Sequence, residues 1–171
     1  DQPFRSSTLH PSIGCAAPSS IAEMSNGMIV WLGIDGFYAF DGKQIAKIST
    51  AIKDTTARII RGRARQACAA VEPKSGEYRC WVAIDSSVTN NMCFVFDGNG
   101  WRQRTDATFA GVCTTRDHRR YMIGAGRVTD SSDAARDGVW VLDHGAKTFT
   151  PESREAKIEN VWLAGGRSET R

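Results

Sequence analysis

Apolar and polar positions repeat along this chain in a fixed order. Three segments each carry an alternating apolar and aromatic run that ends at an Asp. Three positions before that Asp stand Tyr38, Phe94 and Trp140 in turn. The Asp residues are separated by 97 − 41 = 56 and 143 − 97 = 46 residues. The segments are residues 37–42, 93–98 and 139–144. Alternation with a period of two predicts a β-strand in each segment, and the spacing predicts a tandem repeat.

Three further strands are predicted around each of these segments. An apolar strand with a central aromatic (Trp31, Trp81 or Tyr121) precedes it, at residues 28–32, 78–84 and 120–123. A strand of small residues comes earlier, at residues 13–17, 66–71 and 109–113. A more polar strand follows, at residues 43–49, 101–105 and 146–150.

Four antiparallel strands per repeat, with small residues first and polar residues last, are typical of propeller blades. Small side chains suit the crowded inner strand, and polar side chains protect the outer edge from unwanted pairing. We therefore predict an all-β fold, a β-propeller fragment of about three four-stranded blades. The blades are assigned to residues 13–50, 65–105 and 107–150, and residues 151–171 to the start of a further blade or a tail.

Asp-Gly pairs stand between the predicted strands, at residues 35–36, 41–42, 97–98 and 137–138. Such pairs favour tight hairpin turns, because Gly adopts the positive φ angles that these turns require. The second-to-third-strand loop is predicted to lengthen from blade to blade, to residues 85–90 and then to 126–137. Only residues 50–62 have a helical pattern, with Gly62 as a possible C-cap, and a single helical turn or an extended linker remains an alternative.

Three blades are too few to close a ring, since propellers have about four to eight. The chain also begins with Asp1 rather than Met. The chain is therefore either part of a longer propeller protein or dependent on neighbouring chains, and we expect the first.

Composition narrows the function classes. The chain has 171 residues, 41% of them hydrophobic, and no apolar run reaches the roughly 18 residues of a membrane span, so no membrane partner is expected. The net charge of +3 disfavours a strongly basic nucleic-acid-binding protein. Sixteen of the 22 cationic residues are Arg, which suits bidentate contacts with carboxylates or phosphates but also follows from genomic base composition.

The five Cys residues have neither disulfide-framework nor zinc-site spacing. Most lie in apolar runs, so we predict small core residues in a reducing compartment. They are Cys15, Cys68, Cys80, Cys93 and Cys113.

No catalytic or metal-binding pattern is recognised, so the chain is predicted not to be an enzyme and to need no cofactor or metal. His10, His118 and His144 lack metal-ligand spacing. The turn residues Asp41, Asp97 and Asp143 recur in every repeat, which indicates hairpin chemistry rather than catalysis. A calcium loop containing Asp130, Asp133 and Asp137 is disfavoured by the nearby Arg127 and Arg136.

The densest cationic cluster is the predicted contact site. It consists of Arg58, Arg61, Arg63 and Arg65. Four guanidinium groups in eight residues suit nonspecific contact with a DNA backbone, or ion pairs with an adjacent subunit. An exposed connector between blades is the alternative. A second cluster, Arg116, Arg119 and Arg120, is interpreted as solvent-facing charge in a turn.

Residues 14–52 contain an ordered set of motifs that resembles the sequences of a known protein family. The run Gly14–Ile21 is followed by residues 28–36, by Phe37-Tyr38-Ala39-Phe40-Asp41-Gly42 and by Ile48-Ser49. This order is similar to that of bacteriophage virion β-propeller proteins, namely tail nozzle, tubular tail and packaged-DNA stabilisation proteins of short-tailed phages.

The resemblance implies a structural component of a phage tail or head-to-tail nozzle, located in the virion and assembled in the host bacterial cytoplasm. It implies oligomers, usually hexamers, that surround or seal the DNA exit path and contact neighbouring tail and portal proteins. No catalytic residues are implied. One alternative is a propeller interaction scaffold or a lectin-like module using Trp101, Trp140 or Trp162, and a second is a propeller glycosidase with converging carboxylates.

Overall fold

The computed structural model describes residues 8–105, 107–114, 122–129 and 135–142, which form three separate antiparallel sheets. The first sheet contains β1 (Ala22–Glu23), β2 (Ile29–Gly33), β3 (Gly36–Phe40) and β4 (Ile45–Lys47). The second contains β5 (Cys68–Val71), β6 (Tyr78–Val82), β7 (Met92–Phe96) and β8 (Trp101–Arg104). The third contains β9 (Ala107–Thr114), β10 (Met122–Thr129) and β11 (Ala135–Leu142).

Helical structure among the described residues is short. It comprises the 3₁₀ segments Pro18–Ser20, Thr50–Ile52 and Arg61–Gln66, and the single α-helical turn α1 (Lys53–Thr56). Every sheet is a meander, since its strands are neighbours in chain order. The predicted β-rich fold of tandem four-stranded units is therefore confirmed for the first two units and for three strands of the third. The strand predicted at residues 146–150 and the segment 151–171 lie outside the described residues.

The sheets pack face to face, and the second sheet is covered on both sides. Alternate residues of β6 show this, because Tyr78, Cys80 and Val82 join the core with the first sheet while Trp81 joins the core with the third. All five residues of β6 and all five of β7 are buried. Full burial of each large apolar side chain stabilises the fold by about 1.5–3 kcal/mol.

The core between the first and second sheets contains Val30, Leu32, Phe37, Ala39, Tyr78, Cys80, Val82, Phe94 and Phe96. The core between the second and third contains Cys68, Ala70, Trp81, Cys93, Val95, Ala107, Phe109, Met122 and Trp140. The second sheet thus contributes one set of side chains to each core, as the period of two requires.

The strand register corrects the predicted equivalence of Trp31 and Trp81. Trp31 pairs with Tyr38, whereas Trp81 pairs with Cys93. Tyr38 and Phe94 hold equivalent places before their Asp residues, and the partner of Phe94 is Cys80. Trp31 is therefore the counterpart of Cys80, and Trp81 that of Leu32. The two tryptophans point to opposite faces of their sheets, because a shift of one residue reverses the face.

The predicted hairpin chemistry is confirmed at two equivalent turns. Asp41 Oδ1 accepts hydrogen bonds from the backbone N–H groups of Lys43 and Gln44, both at 2.8 Å. Asp97 Oδ1 accepts from those of Asn99 and Gly100 at 2.9 and 2.8 Å. The following glycines, Gly42 and Gly98, have φ angles of 91° and 96°. These carboxylates are therefore used in turns, as their recurrence indicated.

The Asp137-Gly138 pair was wrongly assigned to a hairpin. Both residues lie inside β11, opposite Arg127 and Gly126. The strands extend further than predicted, to the pair Thr129 and Ala135, and Arg127 and Asp137 form a cross-strand ion pair with a 2.8 Å contact. The predicted loop 126–137 accordingly reduces to residues 130–134, which lie outside the described residues.

The prediction of an inner strand at residues 13–17 is also wrong. The segment donates a single backbone hydrogen bond to β2, from Ala16 N to Leu32 O at 2.9 Å. The chain then turns into the 3₁₀ segment that begins at Pro18, which has no N–H group to pair in a strand. The first strand of this sheet is the short β1, in which Ala22 pairs with Val30. Gly62 is not a C-cap either, since it lies within a 3₁₀ segment.

Three of the five thiols are core residues, as predicted. Cys68, Cys80 and Cys93 are buried. Cys15 and Cys113 are exposed, contrary to the prediction. Cys113 pairs with Ile123 on the outer side of the third sheet, so its apolar neighbours in sequence do not place it in a core.

Candidate contact site at the connector between the first two sheets

The connector between β4 and β5 crosses from the first sheet to the second and carries the predicted arginine cluster. It alternates helical turns with an extended stretch, in which Ile59 forms an isolated antiparallel bridge with Ile84. Backbone N–H groups of Ile60 and Asp85 donate to Ala83 O and Arg58 O, both at 3.0 Å. The connector is therefore held against the loop that follows β6.

Arg58 forms an intramolecular ion pair with Asp85. Its Nε and Nη2 donate to the two carboxylate oxygens of Asp85 at 2.9 and 2.6 Å. Hydrogen bonding and charge attraction raise the pKa of Arg58 and lower the pKa of Asp85. This bidentate geometry uses the Nε–Nη2 edge of the guanidinium, so Arg58 fastens the connector to the loop after β6.

Arg63 also contacts the loop after β6. Its Nη1 donates to the carbonyl oxygen of Val88 at 3.3 Å, and the side chain is half-buried. Two of the four predicted contact residues thus bind the protein itself. Nothing in the local sequence distinguishes them from the other two, because their partners are 25 to 27 residues away.

Arg61 and Arg65 are exposed and form no ion pair with any residue that the structure describes. Together with Lys53 they line a cavity of about 400 Å³ between the connector and the β2–β3 hairpin. The remaining lining is largely apolar and small. It comprises Ala16, Leu32, Gly33, Ile34, Asp35, Gly36, Thr56, Ala57, Ile59, Gly62 and Ala64.

Asp35 is the one carboxylate in this lining, and it is already paired. Lys47 Nζ and Tyr38 Oη donate to it at 2.6 and 2.7 Å. The hydrogen bond from Lys47, followed by that from Tyr38, lowers the pKa of Asp35. Burial and the contact with Asp35 raise the pKa of Tyr38 to about 12. The positive charges of Lys53, Arg61 and Arg65 therefore remain uncompensated within the cavity.

Two exposed guanidinium groups beside an apolar cavity can bind a carboxylate or phosphate oxygen pair. The apolar lining offers space for a hydrocarbon group next to such an anion. Contacts with a phosphate or carboxylate carry no information about base sequence.

A second cavity, of about 800 Å³, lies between the loop that follows β6 and the third sheet. Asn90 is 4% exposed there, and its Nδ2 donates to Gln66 O and Phe109 O at 2.7 and 2.8 Å. These bonds join the connector to the third sheet. Sequence reasoning missed Asn90, because an Asn in a polar loop gives no local sign of being buried.

The described residues contain no arrangement suited to nucleophilic catalysis. Burial raises the pKa of Cys68 to about 12 and that of Cys80 well above its usual value, so both stay protonated near neutral pH. His10 Nδ1 accepts hydrogen bonds from the local N–H groups of Ser12 and Ile13. His118 and His144 lie outside the described residues. Within the described part of the chain, no group of three or more His, Cys, Asp or Glu could hold a metal ion.

Two of the three tryptophans considered for sugar stacking, Trp101 and Trp140, pack against other side chains of the protein. The Trp101 ring lies 4.7 Å from Phe37 and 4.9 Å from Phe96, centroid to centroid, and its Nε1 donates to Ile48 O at 2.9 Å. Trp140 is 6% exposed and packs in the core between the second and third sheets. Trp162 is outside the described residues. Packing between sheets is therefore the role of Trp101 and Trp140.

Other predicted features fall outside the described part of the chain. They are the cluster Arg116, Arg119 and Arg120 and the loop residues Asp130 and Asp133. Asp137, the third residue of the candidate calcium loop, is instead bound by Arg127 through two hydrogen bonds of 2.9 and 2.8 Å. No helix among the described residues is long and apolar enough to cross a bilayer.

Comparison of the chain with protein-family models, curated proteins and solved structures finds no match in any of the three.

Proposed function

We propose that this chain is a segment of a β-propeller that serves as a structural component of a phage tail or head-to-tail nozzle. The observation that carries the proposal is the stacking of tandem antiparallel sheets, with the second sheet buried on both faces. Side-by-side stacking of meander sheets is the building rule of propellers. The phage assignment is supported by the ordered phrase in residues 14–52.

The physical role is rigidity combined with exposed loops. Two apolar cores fix the three sheets relative to one another, and the connector is fastened to the second sheet by the Arg58–Asp85 pair. A rigid body of this kind suits a shell of several subunits, hexameric in the proposal, in contact with portal and tail proteins around the DNA path.

The test of this proposal is the protein content of purified virions. We expect virions from a phage that carries this reading frame to contain the chain, as measured by mass spectrometry and by immunogold labelling at the tail. Deletion of the reading frame should give heads that package DNA but lack the nozzle, or heads from which the packaged DNA leaks. Absence of the chain from intact virions would reject the assignment.

Within this function, Arg61 and Arg65 are the residues that would contact the DNA backbone. Their charges are uncompensated among the described residues, whereas Arg58 and Arg63 bind the loop after β6. Contacts through phosphates alone are weak, tolerate any sequence and depend steeply on salt, which suits DNA that must pass along the protein.

The DNA contact is tested by fluorescence anisotropy with two unrelated duplexes over a range of salt concentrations. The chain should bind both equally, and Arg61→Ala with Arg65→Ala should reduce the slope of log K against log salt by about 2. The charge-matched control, Lys43→Ala with Lys74→Ala, removes two exposed cations from turns away from the connector and should change the slope little. A slope unchanged by the arginine substitutions would exclude this site.

A further inference from the structure

The cavity between the connector and the β2–β3 hairpin has a wall of two chemical characters. Lys53, Arg61 and Arg65 line it, and all three residues are exposed. Aliphatic side chains form much of the remaining wall, namely Ala16, Leu32, Ile34, Ala57, Ile59 and Ala64. Ile34 is 71% exposed, so the cavity leaves apolar surface in contact with water. A ligand that combines an anion with a hydrocarbon group would cover both parts of this wall.

The three cations carry positive charge that the described carboxylates do not neutralise. Asp35, the carboxylate in the lining, accepts hydrogen bonds from Lys47 and Tyr38. Lys53, Arg61 and Arg65 form no ion pair with any Asp or Glu in the described part of the chain. The cavity therefore favours a ligand that carries more than one negative charge.

Charge distinguishes between the two anions that arginine pairs bind well, carboxylates and phosphates. A carboxylate has one negative charge and two acceptor oxygens. A phosphate monoester has about −1.5 to −2 charges at pH 7 and three acceptor oxygens. Three cations around one cavity match the phosphate monoester better.

Size and shape limit the group that is attached to the phosphate. The volume of about 400 Å³ lies in the lower part of the range of about 300–1,000 Å³ that small-molecule sites occupy. Among the described lining residues there is no aromatic ring on which a nucleobase could stack. A short aliphatic group, which packs against small and branched side chains, fits this wall.

We infer that the cavity binds a small phosphate monoester. Its phosphate contacts Lys53, Arg61 and Arg65, and its short aliphatic group lies against Ile34 and Ile59. The inference rests on the same cationic site as the proposed function and names a second class of ligand for it. It requires neither DNA nor a location in the virion.

The experiment is isothermal titration calorimetry of the complete chain at pH 8 and low salt, with three probes at up to about 10 mM. The probes are n-butyl phosphate, inorganic phosphate and n-butanoate. We expect n-butyl phosphate to bind most tightly. Inorganic phosphate, which lacks the apolar contact, and n-butanoate, which has less charge, should each bind about tenfold more weakly.

Removal of the guanidinium groups tests the phosphate contact. Arg61→Ala with Arg65→Ala should weaken n-butyl phosphate binding about a hundredfold, about tenfold for each charged hydrogen-bond donor lost. Lys43→Ala with Lys74→Ala removes the same charge from turns away from the cavity and should leave the affinity close to that of the wild type.

Narrowing the cavity without removing charge tests the apolar contact. Ala57 is exposed, and a Cβ at Gly62 would have no heavy atom within 4 Å, so larger side chains fit at both lining positions. Ala57→Leu with Gly62→Leu should weaken n-butyl phosphate binding about tenfold and leave the salt dependence of DNA binding unchanged. Ala46→Leu with Gly100→Leu makes the same changes outside the lining and should bind as the wild type does.

Circular dichroism and thermal melting check that every variant remains folded. Three outcomes would overturn the inference. They are a wild-type chain that binds no n-butyl phosphate, as when another part of the chain fills the cavity, equal affinity for all three probes, and folded arginine or leucine variants that bind like their controls.

Failure of the inference can be told apart from failure of the proposed function. If n-butyl phosphate does not bind but the arginine substitutions reduce the salt slope of DNA binding by about 2, the inference alone fails. If n-butyl phosphate binds as expected but DNA does not bind or the chain is absent from virions, the proposed function alone fails.

Discussion

Among individual residues, Glu77 pairs with two arginines at a largely buried position. It accepts hydrogen bonds from Arg79 Nη2, at 3.0 Å, and from Arg102. The side chains of Glu77 and Arg79 are 14% and 8% exposed. Burial alone would raise the pKa of Glu77, but the hydrogen bonds and charges of Arg79 and Arg102 outweigh it and lower the pKa. The carboxylate thus compensates a nearly buried guanidinium.

Glu77→Gln should destabilise the fold by about 2–4 kcal/mol, because it leaves the charge of Arg79 buried without its partner. Chemical denaturation with guanidinium chloride measures this loss. Glu23→Gln, at an exposed position in β1, is the control and should change the stability by less than about 0.5 kcal/mol. A loss at Glu77 no larger than that of the control would show that the pair is not important for stability.

The same pair predicts a pH dependence. The folded-state pKa of Glu77 lies below its usual value of 4.5, so the stabilisation is fully present above that value and is lost as the pH falls through the lower folded-state pKa. Between pH 6 and the acid transition, the wild-type chain should therefore lose more stability than Glu77→Gln does. Equal losses in the two proteins would contradict this assignment.

At the level of secondary-structure elements, Trp101 at the start of β8 joins two sheets. Its ring contacts Phe37 of the first sheet and Phe96 of the second, and its indole N–H donates to Ile48 O. The two central residues of β8, Arg102 and Gln103, are exposed, as expected for an edge strand. One aromatic side chain therefore fixes an otherwise polar edge strand to the neighbouring sheet.

Trp101→Ala should cost about 3 kcal/mol, near the lower limit for a large aromatic residue because the side chain is only partly buried. Trp101→Phe keeps most of the ring contact and loses the hydrogen bond, so we expect about 1 kcal/mol. Equilibrium unfolding measures both. Equal effects of the two substitutions would mean that the hydrogen bond to Ile48, rather than the ring, holds the sheets together.

On the scale of the whole molecule, the two cores divide the thiols into protected and accessible sets. Cys68, Cys80 and Cys93 are buried in or between sheets, while Cys15 and Cys113 are exposed. Cys113 pairs with Ile123 on the outer face of the third sheet. The reaction rates of the thiols therefore report on the stacking of the sheets.

A thiol reagent at pH 8 should modify two of the five cysteines quickly in the folded chain and all five after denaturation. Burial raises the pKa of Cys68 and Cys80, which slows them further. Cys15→Ser with Cys113→Ser should abolish the fast reaction. Rapid modification of three or more thiols in the native chain would contradict the stacking.

Local chemistry accounts for what could be predicted from the sequence. Alternation located the strands around Trp31, Trp81 and Phe94, and the turns at Asp41 and Asp97 follow from hydrogen bonds within three residues of each Asp. These features depend on residues close together in the sequence, so a single sequence is enough to predict them. The β-rich fold and the tandem sheets could therefore be predicted, and the arginine-rich connector could be located.

Tertiary structure decided which charged and thiol side chains stay exposed to solvent and which are bound within the protein. Arg58 is bound by Asp85, 27 residues away, while Arg61 and Arg65 of the same cluster stay exposed, a difference that the cluster's own sequence does not contain. Asp137 became a strand residue because Arg127 lies across from it, and Cys113 became exposed because its face has no neighbouring sheet in the described part of the chain. Long-range pairing sets these outcomes, since the partner's position exists only once the sheets have packed.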